Sequence, residues 1–142
     1  MTVPSDEAAQ RALDAIVAAA REAGFVVAVA IADAHGDLVA ARRMDGARPR
    51  WMRASLRKAY SAAVMDRDTS AFHDEIVRRN LQIAYYGDAM LTALPGGIVV
   101  HDAAGATLAG IGVTGPTHGR DEELARAGVA ALSSGVRSVP RG

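Results

Sequence analysis

The side chains best suited to chemistry are one lysine, one charged cluster and four histidines. Lys58 is the only lysine in 142 residues, against 15 arginines. An ammonium on a flexible stem can lose its proton when desolvated, and so can act as acid, base or Schiff-base amine; a guanidinium cannot. The plainer reading is a solvated surface cation. Arg42-Arg43-Met44-Asp45-Gly46 is the charged cluster. There Arg43 could anchor a carboxylate and Asp45 could handle a proton. Asp45-Gly46 is also ordinary turn chemistry.

His35 falls in a turn, His73 beside Asp74 and Glu75, and His101 beside Asp102. His118 precedes Asp121 by three residues, which puts both on one helix face, where they could ligate a metal or share a proton. Asp121 would equally suit a helix N-terminus by charge alone. No two histidines have metal-ligand spacing, so no metal site is expected. Tyr60, Tyr85 and His118 are weaker donors. The chain carries no Walker A, HExxH or GxSxG signature. Gly110-Ile111-Gly112-Val113-Thr114-Gly115 lies within an expected strand, not after one, so it fails as a dinucleotide loop.

Composition narrows the classes. Zero cysteine excludes disulfides, thiolate nucleophiles and cysteine zinc sites, and fits a reducing, cytoplasmic setting. Sixteen basic residues balance sixteen acidic ones, which argues against nucleic acid as partner. No run of 18 apolar residues spans a membrane, and the start of the chain does not read as a signal peptide. Alanine occurs 31 times and aromatics six times, so the core is expected to rest on close contacts between small side chains.

These residues need elements to position them. Residues 1–5 read as a disordered lead. Ser5 caps a first helix that Gly24 ends. Phe25 to Asp33 is apolar on both faces, one large and one small, which predicts a strand covered on both sides with a helix close to the small face. Ala34-His35-Gly36-Asp37 turns the chain into a hairpin partner, Leu38 to Met44. Pro49 opens a second helix to about Met65, with Met52, Leu56, Ala59 and Ala63 on its apolar line and Ser55 and Lys58 off it. A third helix runs from Thr69 or Ser70 to about Asn80. A weak strand is expected at Ala89 to Leu94, then strands at Ile98 to His101 and Thr107 to Thr114. Gly110 and Gly112 leave one face of the last strand bare for a backbone or a ligand. A closing helix, Arg120 to Ser133, precedes a frayed tail. This order predicts an α+β fold in one domain over residues 1–142, with a sheet between helical layers.

Five segments together resemble a known family: VAVAIADAHGDLVAARRMDGA (Val27 to Ala47), RKAYSAA (Arg57 to Ala63), PGG (Pro95 to Gly97), GATLAGIGVTG (Gly105 to Gly115) and DEELARAG (Asp121 to Gly128). Their order and spacing are similar to the GlcG/HbpS family and to the C-terminal domain of PduO-type proteins, over roughly residues 8–132. The resemblance implies a profilin-like α/β/α sandwich around a central antiparallel sheet, assembled as dimers or larger homo-oligomers. It implies a small-molecule-binding domain; some members bind haem, others accompany cobalamin or glycolate metabolism. Arg43, Asp45, Lys58, Gly97 and Asp121 match the family pattern. His73 to Leu94 matches least and is expected to line the pocket, adding Tyr85 to a ligand-binding set of Arg43, Lys58, Gly97, His118 and Asp121. Haem is one ligand the resemblance allows, and a histidine, a methionine, Tyr85 or Tyr86 could ligate its iron. The alternative is a cofactor-independent isomerase, lyase or hydrolase acting on a small polar metabolite, with Lys58 and Asp45 as acid and base and Arg43 holding a carboxylate.

Overall fold

The computed structural model describes residues 2–116 and 118–138. The first helix, α1 (Asp6–Ala23), starts where Ser5 Oγ accepts from the Ala8 amide and ends at Gly24 in the left-handed region. Both ends follow the sequence. Ser5→Ala is expected to cost about 1 kcal/mol of stability in urea unfolding. A loss below a few tenths would show that the cap is dispensable.

Strands β2 (Ala28–Asp33), β3 (Leu38–Arg43), β4 (Gly97–His101) and β5 (Thr107–Thr114) form an antiparallel sheet in the order β3-β2-β5-β4. On one face Val27, Val29, Ile31, Ile111 and Val113 join Leu13, Ile16 and Val17 of α1 in the main core. On the other lies α2 (Pro49–Met65), followed by α3 (Thr69–Arg78). Helices α4 (His118–Arg126) and α5 (Val129–Ser133) pack on the α1 side. The result is the expected α/β/α sandwich.

A trough without side chains explains how closely α2 approaches. Gly97 pairs with Gly112, and Gly112 with Ala30, so one row across three strands carries at most a methyl group. A Cβ on Gly112 would overlap the Ser55 carbonyl oxygen, and one on Gly110 the Ala59 carbonyl oxygen. A Cβ on Gly97 would come within 2.6 Å of the Lys58 carbonyl oxygen. The bare face of β5 therefore receives helix backbone, and no ligand fits there.

That approach rotates α2 from its expected orientation, with Ala59 and Ala63 buried as expected but Ser55 and Lys58 buried too. Its buried face is Ser55, Lys58, Ala59, Ser61, Ala62 and Ala63, while Met52 and Leu56 are only half-buried. The polar members are satisfied. Ser55 Oγ donates to the Ala28 carbonyl (2.8 Å) and shares a hydroxyl–hydroxyl bond with Thr114 (2.9 Å). Ser61 Oγ accepts from the Thr92 amide at 2.8 Å.

Three other expectations fail for physical reasons. Ala89 to Leu94 forms no strand, and α2 side chains take two of its backbone groups: Arg57 donates to the Ala89 carbonyl and Ser61 accepts from the Thr92 amide, while Tyr60 Oη donates to the Asp88 side chain at 2.7 Å. The closing helix is split at Ala127 and Gly128, where a Cβ on Gly128 would lie 2.8 Å from Ile16 Cδ1. The lead is ordered, since β1 (Thr2–Pro4) pairs antiparallel with β6 (Val136–Ser138), drawn from the expected frayed tail. The end of that tail, 139–142, lies outside the described residues.

Candidate functional site

The glycine trough brings the Lys58 backbone down onto β4 and β5. From there its side chain extends through the interior to two acceptors. Lys58 Nζ donates to the Val113 carbonyl at 2.8 Å and to Asp121 Oδ2 at 3.2 Å. Both side chains of this ion pair are 1% exposed. Asp121 sits in the first turn of α4, where the helix dipole favours a carboxylate. Gly96, at φ +120°, makes room for the ammonium, since a Cβ there would stand 2.8 Å from Nζ.

Burial pushes the Lys58 pKa below its usual value, and the charge and hydrogen bond of Asp121 pull it partly back. An ammonium has three donor protons. Two are used, and the third has no acceptor among the described residues. Lys58 also lines a cavity of about 130 Å³ with Arg50, Trp51, Ala54, Leu94 and Thr114. A second space of about 230 Å³, lined by Arg48, Arg50, Trp51, Gly115 and Pro116, shares two of those residues and adjoins it. Among the described residues, the charged groups lining the two spaces are Lys58, Arg48 and Arg50, with Asp121 behind Lys58. Helix α2 adds its positive end, with no acidic residue in its first turn and no side-chain cap.

Of the residues singled out in the sequence, Lys58, Gly97 and Asp121 come together here. Arg43 and Asp45 do not. Both are exposed, at the end of β3 and in the turn after it, and neither lines the two spaces. Tyr85 is 66% exposed on a single 3-10 turn, Ile83–Tyr86. From the segment expected to line the pocket, it is Leu94 that reaches the cavity. Tyr60 is tied to Asp88, whose hydrogen bond raises the phenol pKa. His118 opens α4, but its side chain lies outside the described residues. His101 Nε2 is 2.7 Å from Asp66, and His73 lies against Asp74. Among the described residues no group of three or more His, Asp or Glu could hold a metal ion.

Sequence reading missed Arg50, Trp51 and Thr114. Trp51 is the single tryptophan of an aromatic-poor chain and is half-buried at a helix start, a signal that was present. Thr114 shares a strand face with Gly110 and Gly112, but only the pairing with Ser55 shows that it ends beside the cavity.

Comparison with known proteins agrees with this fold. The chain matches the family described as haem degrading protein, HbpS-like, over residues 5–130. It is 36% identical to a double mutant of Streptomyces reticuli HbpS, with 90% of this chain and 86% of that one covered and a TM-score of 0.81. The Klebsiella pneumoniae protein ORFY is 24% identical over 94% of this chain and 92% of its own, with a TM-score of 0.83. PduOC, solved in complex with haem, is 24% identical over 90% of this chain and 94% of its own, with a TM-score of 0.80. The last two likenesses concern the fold. No protein of curated function matches the chain.

Proposed function

The chain belongs to the HbpS-like family, and we propose that it is a small-molecule-binding domain whose ligand is a tetrapyrrole of the haem class, held beside Lys58. One observation carries the placement: Lys58, whose buried ammonium uses two of its three donor protons among the described residues, lines a cavity with the half-buried Trp51 and with Arg50, and Arg48 lines the space beside it. Those are the groups a flat, carboxylate-bearing ligand needs. Trp51 offers an aromatic surface, and Arg48 and Arg50 offer forked donors. The complex of PduOC with haem and the family description support the ligand class. A haem macrocycle is larger than the inner cavity, since pockets for ligands of that order run to roughly 300–1,000 Å³. On this reading it rests at the open mouth. Assembly with further copies of the chain belongs to the same reading. Exposed Leu38 and Met90 around an apolar depression of about 240 Å³ support it.

Titrating the protein with haem tests the proposal. A Soret shift saturating at one haem per chain is expected. A Soret band unchanged from free haem at stoichiometric concentration overturns it.

A second reading, an enzyme acting on a small polar metabolite without a cofactor, is favoured by the depressed Lys58 pKa. In it the acid–base pair is Lys58 with Asp121, because Asp121 and not Asp45 bonds the ammonium. Turnover of a small hydroxy or oxo acid by the protein alone would select this reading over the first.

A further inference from the structure

We propose that the cavity beside Lys58 is a subsite for a short aliphatic carboxylate, with the third Lys58 N–H donating to the carboxylate and the methylenes packing on Trp51, Ala54 and Leu94. Size comes first. A dry cavity of about 150 Å³ holds a benzene molecule of six heavy atoms. The space of about 130 Å³ here takes a chain of two or three carbons ending in a carboxylate and excludes anything much larger.

Chemistry comes second. The lining surface is mostly apolar, with Lys58, Arg50 and Thr114 as its polar members. The Lys58 ammonium is bonded to the Val113 carbonyl and to Asp121, which leaves one proton without an acceptor among the described residues. Gly96 lets the ammonium reach Asp121 past the loop backbone, since a Cβ there would stand 2.8 Å from Nζ. Charge comes third. Asp121 neutralises one cation, and two arginines and the uncapped start of α2 remain to balance an incoming anion. A cation in this place would meet only positive charge at the mouth.

Two sources share this chemistry: the carboxylate arm of a porphyrin, or a free short acid. The porphyrin form rests on the function proposed above. The free-acid form stands without it.

The experiment compares haem, haem dimethyl ester and sodium propionate on the full chain. Haem and its ester are followed by Soret absorbance, propionate by calorimetry and by competition with haem. The variant is Ala54→Leu, which fills the cavity and leaves the ion pair intact, with circular dichroism as the check of fold. The wild type is expected to bind haem at least about tenfold more tightly than the ester, the loss of one charged hydrogen bond. Ala54→Leu is expected to shrink that difference about tenfold, leaving only what the arginines at the mouth contribute. Propionate binding that Ala54→Leu removes supports the subsite even if no porphyrin binds, in which case the tetrapyrrole reading fails alone. Equal affinity for haem and ester together with no propionate binding overturns the subsite and leaves the tetrapyrrole reading intact. No binding of any of the three overturns both.

Discussion

Lys58→Met is expected to lose about 3–5 kcal/mol of folding stability, the usual consequence of leaving a buried charge without its partner. Lys58 and Asp121 are both 1% exposed, so the carboxylate left behind is shielded from bulk water. The expected sign for the double variant is opposite. Lys58→Met with Asp121→Leu removes both desolvation costs and should recover most of the loss, because apolar residues can replace a buried ion pair at little net cost. Lys58→Arg should not rescue. A guanidinium is broader than an ammonium, and the Gly96 and Val113 backbones already hem in Nζ. Guanidinium unfolding of the four proteins measures this. A single-variant loss under 1 kcal/mol would mean that the pair is solvated in solution.

Gly112→Ala is expected to cost about 3 kcal/mol or more, at the upper end for overpacking. Its Cβ would overlap the Ser55 carbonyl oxygen and stand 2.7 Å from the Ala59 amide nitrogen. Both are backbone atoms of α2, so no rotamer change relieves the clash and the helix must lift from the sheet. That movement would withdraw Lys58 from Val113 and Asp121, so ligand binding should fall with stability. Gly119→Ala is the control. Its Cβ meets nothing within 4 Å, and its φ is compatible with any side chain. The control is expected within about 0.5 kcal/mol of wild type, as for most surface changes. Equal effects at the two positions would contradict the account of the trough.

Much of the frame could be read from local signals. Ser5 and Gly24 bound α1 because capping is set by neighbouring residues. The strand with one large and one small face lies as its pattern implied, with Val29 and Ile31 toward α1 and Ala30 and Ala32 toward α2. Lys58 could be singled out because composition alone made it unusual. What escaped the sequence depends on distant partners. The face of α2 was misjudged because hydrophobicity marks the core only where the neighbouring surface has side chains. Against glycine, a helix buries serine and lysine backbone instead. The partner of Lys58 is 63 residues away in sequence, so no local signal paired it with Asp121. The segment from Leu81 to Gly96 has no period of its own, because α2 side chains and not a neighbouring strand satisfy it. The pairing of β1 with β6 joins the two ends of the fold and leaves no local trace.

The most direct test of the central claim is a crystal structure of the chain with haem. The account predicts the macrocycle against Trp51 and one carboxylate arm within about 2.7–2.9 Å of Lys58 Nζ, the range of a charged hydrogen bond. A haem bound elsewhere, with the Lys58 cavity unentered, would contradict it.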